Sequence, residues 1–252
     1  MRLDGHTVLV TGAGAGVGSG IAIALAANGA HVVVASRSES GCDVVGGISA
    51  RRHQATWARC DVTVPEQIAG AVRIALAATG RLDAVVHNAT SNSSSRPHRL
   101  EEVSRSLWDD HYSVSVGGAQ NCAAAAFDAL KTRGGTFLVM TSPAGIEGSA
   151  TLPLYATMKG ALRGFAKSLA REWAPHGITV NVVSPLAYSP AMTAAIEAEP
   201  AMEQRLSRRV PLGRIGDPER DIGSAVAFLV GPAARYITGQ TLGIDGGHFM
   251  NL

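Results

Sequence analysis

Tyr155 and Lys159 stand four residues apart in Tyr155-Ala156-Thr157-Met158-Lys159, a spacing that puts a phenol and an ammonium on one helix face. With four tyrosines and three lysines (Lys131, Lys159, Lys167) in the chain, such a pair is expected about 0.05 times by chance. A phenol ionises near pH 10, so a cation beside it is what gives its anion a useful population near neutrality. Ser142 closes a strand candidate upstream of the pair, at the edge where open α/β sheets bind ligands.

A second cluster is Thr11-Gly12-Ala13-Gly14-Ala15-Gly16-Val17-Gly18, where an apolar strand ends and an Ala/Ile/Leu-rich helix begins. Glycines there permit a tight turn and close backbone approach to a pyrophosphate, while the helix N-terminus offers N–H groups to the anion. The spacing is Gly12-xxx-Gly16-x-Gly18 and not the strict G-x-G-x-x-G. Its strand–turn–helix context nevertheless predicts nucleotide binding over a bland connection. The second strand ends in Ser36-Arg37 where an acid would hold the adenosine ribose, so NADP(H) is expected over NAD(H), which stays open. Asp61 and Val62 follow the third strand, either bordering the adenine or beginning the turn into the Pro65 helix.

The elements that must position these groups are repeated β-α units. Strand candidates are His6–Val10, His31–Ala35, Ala55–Arg59, Leu82–His87, Thr136–Thr141, Ile178–Val183 and Gln240–Asp245, mostly continuous apolar runs, as when helices cover both faces. Helical stretches lie near Val17–Asn28, Pro65–Thr79, Leu100–Lys131, Tyr155–Trp173 and Pro218–Val230. The expected fold is α/β: one Rossmann-type domain over residues 1–252, a doubly wound parallel sheet of about seven strands flanked by helices on both faces. Residues 91–97 read as a loop, and residues 186–209, with their prolines, methionines and alanines, as a lid over an apolar substrate. Segment Ser38–His53 is the least readable, because Gly41, Gly46 and Gly47 dilute a helix.

Composition narrows the function classes. The chain has 252 residues, 46% hydrophobic and 17% charged, with 29 glycines, which excludes disorder, collagen and coiled coil. A net charge of +2 with isolated basic pairs, Arg51–Arg52 and Arg208–Arg209, argues against nucleic-acid binding. Cys42, Cys60 and Cys122 show no C-x-x-C spacing and read as free or buried thiols of a reducing compartment. No apolar run is long enough to span a membrane and no secretory signal is seen, so a cytoplasmic protein is expected. His87, His111 and His248 form no metal spacing, and no metal role is assigned.

Across its whole length the sequence resembles the short-chain dehydrogenase/reductase family. The family's TGxxxGxG turn is matched by Thr11 to Gly18, its serine by Ser142 and its YxxxK by Tyr155 and Lys159. Its N-N-A-G stretch is present as His87-Asn88-Ala89-Thr90, and its P-G as Pro185-Leu186. Pro211 to Glu219, Ile237 to Gln240 and Asp245-Gly246-Gly247 are also close to the family form. The resemblance implies hydride transfer between nicotinamide C4 and a ketone or secondary alcohol, with Tyr155 as general acid in reduction and general base in oxidation. Lys159 would supply charge and bond the nicotinamide ribose, and Ser142 would hold the substrate oxygen. Cofactor contacts are expected from Thr11, Gly12, Gly14, Gly16, Val17, Gly18, Ser36, Arg37, Asp61, Val62, Asn88, Ala89, Tyr155, Lys159, Pro185, Leu186 and Ser189. A homotetramer or homodimer through the helices at Leu100–Lys131 and Tyr155–Trp173 is implied too.

The departures are specific. The family's fourth catalytic residue, an asparagine, aligns with Ser115, which cannot offer both an amide donor and a carbonyl acceptor and so implies a weaker hold on a relay water. Thr90 and Leu186 replace glycines beside the cofactor. These three support the alternative of a catalytically weak NADP(H)-binding sensor or structural protein. Intact Ser142, Tyr155 and Lys159 favour the enzyme.

Overall fold

The computed structural model describes residues 2–250. Seven strands form one sheet: β1 (Thr7–Thr11), β2 (His31–Ser36), β3 (Ala55–Arg59), β4 (Ala84–His87), β5 (Thr136–Met140), β6 (Thr179–Pro185) and β7 (Thr241–Ile244). Their order is β3-β2-β1-β4-β5-β6-β7, with every neighbouring pair parallel. The expected doubly wound sheet is thus present, and its order reverses between β1 and β4, the switch point where such sheets open a ligand crevice.

Side-chain alternation explains why the strands look uniformly apolar. In β1, Leu9 joins the core on one face and Val8 and Val10 the other; in β5, Phe137 and Val139 oppose Leu138 and Met140. The first face is covered by α3 (Pro65–Thr79), α5 (Gly118–Lys131) and α7 (Pro153–Trp173), which contribute Ile68, Cys122 and Leu162. The second is covered by α1 (Gly16–Ala27), α2 (Ser40–Ala50) and α10 (Ser224–Val230), which contribute Ile21, Ile48 and Val226.

Several element readings need correction. The stretch from Leu100 to Lys131 is not one helix. A 3-10 turn at Leu100–Glu102 ends in extended Val103; α4 (Arg105–Tyr112) then starts at Ser104, whose hydroxyl accepts Leu107 N–H at 3.2 Å, and passes through a π turn at Ser113–Gly117 into α5. Ser38–His53 does hold a helix, α2, because Ile48 is anchored in the core and Gly41 lets the backbone lie against Trp57. Pro218–Gly223 is a π turn ahead of α10. Residues 186–209 carry two helices, α8 (Pro190–Ala198) and α9 (Ala201–Arg209), neither with a buried residue. The short α6 (Ala144–Glu147) precedes α7. No helix among the described residues is long and apolar enough to cross a membrane.

Candidate active site

A cleft of about 700 Å³ opens over the carboxyl ends of the strands on either side of the switch point. Its floor is the glycine turn: Gly12, Gly14, Gly16, Val17 and Gly18 all line it. Gly12 and Gly16 have φ of +62° and +59°, the left-handed region that glycine tolerates. A Cβ on Gly12 would stand 2.8 Å from the Ala89 Cα, and one on Gly18 would run into the Gly12 carbonyl. The turn therefore presses against the strand-end loop after β4, where the Asn88 amide donates to the carbonyls of Thr11 (3.2 Å) and Gly12 (3.0 Å). Asn88 and Ala89 line the cleft; Thr11 is fully buried beneath it, its hydroxyl accepting the N–H groups of Asn88 and Ala89 at 3.2 and 3.3 Å.

Ser36 and Arg37 border the end of the cleft beyond β2. The Ser36 hydroxyl is committed elsewhere: it donates to the Ser38 carbonyl at 2.7 Å and accepts Trp57 Nε1–H at 2.9 Å. Exposed Arg37 crosses above β1 to donate to the Asn92 side-chain carbonyl at 2.8 Å. Asp61 and Val62 also line the cleft, and Asp61 begins a turn as well, accepting Thr63 N–H at 2.9 Å and the Thr63 hydroxyl at 2.7 Å.

Tyr155, on the first turns of α7, is half-buried and faces the cleft. Burial raises its pKa, and a hydrogen bond with Ser142, just beyond β5, opposes the rise. Lys159, one turn on, is buried, and loss of hydration pushes its pKa down to about 8. Its ammonium donates to the Met140 carbonyl at 2.8 Å and lies 5.5 Å from the Tyr155 ring centroid. Thr141 fixes the helix to the strand end by donating to the Lys159 carbonyl at 2.8 Å. Phenol, hydroxyl and ammonium thus meet in one partly dehydrated corner, which can hold an oxygen of a bound molecule and exchange a proton with it.

A family profile described as Enoyl-(Acyl carrier protein) reductase matches residues 12–248. The 3-oxoacyl-(acyl-carrier-protein) reductase FabG of Vibrio cholerae is 36% identical over 99% of this chain and 100% of its own. The chain belongs to the short-chain dehydrogenase/reductase family. Among solved structures, a Sinorhizobium meliloti protein described as a short-chain alcohol dehydrogenase aligns with a TM-score of 0.90 at 35% identity, covering 98% of this chain and 97% of its own. The 3-ketoacyl-(acyl-carrier-protein) reductase of Brucella melitensis, complexed with NADH, aligns with a TM-score of 0.88 at 30% identity, covering 98% of this chain and 99% of that one. As a member of this family the protein is an oxidoreductase that binds NAD(P)(H). The cleft floor at Gly12, Gly14, Gly16 and Gly18 bears no side chains, which suits the close passage of a pyrophosphate.

Not every residue expected from the family pattern borders the cleft. Pro185 lines it, but Leu186 lines a separate hollow with Arg214 and Asp245 and is tied by its backbone to Ile244 and Gly216. Ser189 lines the cleft while capping α8, its hydroxyl accepting Met192 N–H at 3.2 Å. Ser115 is buried inside the π turn, and its neighbour Val114 reaches the cleft instead. Residue-by-residue reading missed Ser38 and Ser40, which lie in the segment that glycines made unreadable, and Asn92, which sits in a stretch legible only as a loop.

Proposed function

We propose that this short-chain dehydrogenase/reductase is an NADP(H)-preferring oxidoreductase acting on a ketone or secondary alcohol carried on an apolar chain. The observation that carries the reaction is the meeting of Tyr155 and Lys159 in the cleft whose floor is the glycine turn, with Ser142, itself outside the cleft lining, hydrogen-bonded to Tyr155. The bound nicotinamide would supply or accept hydride at C4. Ser142 holds the carbonyl oxygen as charge develops on it, and Tyr155 gives that oxygen its proton in reduction and removes it in oxidation. Lys159 supplies the positive charge that favours the phenolate, which burial alone would disfavour. Ser115, expected as a fourth catalytic residue, is buried behind Val114 with its carbonyl already bonded to His87 and Gly118, and takes no part in this reaction scheme. The cofactor is held by Gly12, Gly14, Gly16, Val17 and Gly18 at the pyrophosphate, and by Asn88, Ala89, Pro185 and Ser189 toward the nicotinamide.

NADP(H) preference rests on Arg37. No carboxylate ends β2 to repel a 2′-phosphate, and the guanidinium, now on the neutral Asn92 amide, gains a charge-assisted partner by turning to it. Ser36 has no free proton to give; Ser38 and Ser40 share one hydrogen bond at 3.0 Å, which leaves one of their two hydroxyl protons to serve beside Arg37. The NADH in the Brucella structure is the reason to test this directly. Substrate class follows from the apolar part of the cleft lining: Val114, Leu152, Ala191, Met192, Ala195 and Met202, the last four from α8 and α9, which serve as its lid. The names of the Vibrio and Brucella relatives support a 3-oxoacyl group as one such ketone.

The experiment is fluorescence titration with NADPH and NADH, followed by NADPH oxidation with a 3-oxoacyl thioester and with ketones of rising chain length. Tighter NADPH binding and turnover that grows with chain length are expected. Equal or tighter NADH binding overturns the cofactor preference, and absence of turnover with every carbonyl overturns the enzyme.

A further inference from the structure

We infer that His87 is a positioning residue, clamping the carbonyl of Ser115 so that the π turn at Ser113–Gly117 holds the cleft wall against Tyr155. His87 ends β4 opposite Thr11 in the ladder, and strand alternation turns both side chains, with Leu9 and Val85, onto the face covered by α5 and α7. The imidazole is buried, and its Nε2 lies 2.9 Å from the Ser115 carbonyl oxygen. A carbonyl only accepts, so Nε2 carries the proton. Burial and the charge of Lys159 push the ring's pKa down to about 3, so the ring is neutral and Nδ1 is an acceptor.

Its donor is identifiable. The Thr11 hydroxyl, 3.3 Å from Nδ1, already accepts two backbone N–H groups, so its own proton goes to the imidazole. The Cys122 thiol lies 3.7 Å from the same nitrogen. A continuous chain of bonds therefore runs from the loop after β4 through Thr11 and His87 to the π turn. On the far side the Ser115 carbonyl also accepts Gly118 N–H, so both of its lone pairs are taken. Gly118 makes room for this: a Cβ there would stand 3.1 Å from the His87 Cε1 and 2.7 Å from Val62.

An asparagine side chain at position 115 is absent, and the π turn is pinned by a ring from β4. Val114, next to the clamped carbonyl, lines the cleft, so the clamp sets how closely that wall approaches the substrate. This role rests on the carbonyl-reductase reading above, while the clamp itself does not.

The test uses His87→Phe, which fills the site but cannot donate, and His87→Gln, whose side-chain amide nitrogen stands in for Nε2. Three readouts are compared: hydrogen exchange across residues 113–120, dinucleotide affinity by fluorescence, and kcat with a carbonyl substrate. His87→Phe is expected to speed exchange at least about 10-fold and lower kcat by about 100-fold, with affinity changed less than about 2-fold; His87→Gln restores exchange and most of kcat. Unchanged exchange in His87→Phe, an equal loss of dinucleotide affinity, or a folded His87→Gln no better than His87→Phe overturns the inference. Should His87→Phe fail to fold, nitrogen NMR of the wild-type ring decides. The Nε2–H tautomer at neutral pH is expected, and the Nδ1–H form or the doubly protonated ring contradicts the clamp. A wild type inert toward all carbonyls removes the reductase reading and leaves the exchange and ring results to judge the clamp.

Discussion

Lys159 donates its ammonium proton to the Met140 carbonyl at 2.8 Å while its nitrogen sits 5.5 Å from the centre of the Tyr155 ring. The strand end thus fixes the cation that the phenol needs. Because burial lowers the Lys159 pKa to about 8, the cation is present at neutral pH and lost in mild alkali. The expected kcat/KM profile for carbonyl reduction is level near pH 7 and falls above about pH 8, measured with the free enzyme as reference. Stability is linked to the same proton. With the folded pKa below the unfolded 10.5, the unfolded chain binds more protons between about pH 8 and 10.5, so stability rises with pH there. Lys159→Met should remove that rise, as seen by denaturant titration at pH 8 and pH 10.

The buried imidazole governs the acid side. His87 has a folded pKa near 3 against 6.5 when free, so as pH falls below 6.5 the unfolded chain takes up a proton that the native one refuses. That single proton lowers stability by about 1.4 kcal/mol per pH unit until the folded pKa is reached. His87→Gln is expected to flatten the slope between pH 6 and pH 4 by about that amount. An unaltered slope would mean that the ring already titrates in the native state.

Gly12→Ala probes the cradle. The new Cβ meets the Ala89 backbone at 2.8 Å at a residue whose φ is +62°. A loss of about 1–3 kcal/mol in stability, with weaker dinucleotide binding, is expected from thermal melts and fluorescence titration. Gly46→Ala, whose Cβ would meet nothing within 4 Å, is the control and should be neutral or stabilising.

The sheet was legible because period-two burial on both faces writes long apolar runs, as in Val32-Val33-Val34 and Phe137-Leu138-Val139. The glycine turn and the Tyr155–Lys159 pair were legible because they are contiguous, with spacing that maps onto one turn and one helix face. What escaped is what spans the fold. Nothing local in Leu100–Lys131 shows that the helix widens at Ser113–Gly117, since the partner that accompanies the widening, His87, lies on β4. The Ser36 hydroxyl looked available for a phosphate, because Trp57, which occupies it, belongs to the next strand. Leu186 stands where the family pattern puts a glycine beside the cofactor, but its backbone is tied to Ile244 and Gly216 on strands and loops far away in sequence.

Arg37→Ala tests the phosphate anchor. A charge-assisted bond to a 2′-phosphate predicts a loss of about 10- to 100-fold in NADPH affinity and less than about 2-fold in NADH affinity. Equal losses for both dinucleotides in paired fluorescence titrations would instead assign Arg37 to holding the Asn92 loop.

The proposed reaction turns on the proton carried by Tyr155, and Tyr155→Phe removes that proton with little change of shape. Single-turnover reduction of a carbonyl substrate by prebound NADPH should slow by about 10²- to 10⁴-fold, with NADPH affinity within about 2-fold of wild type. A Tyr155→Phe protein that transfers hydride at the wild-type rate would contradict the assignment.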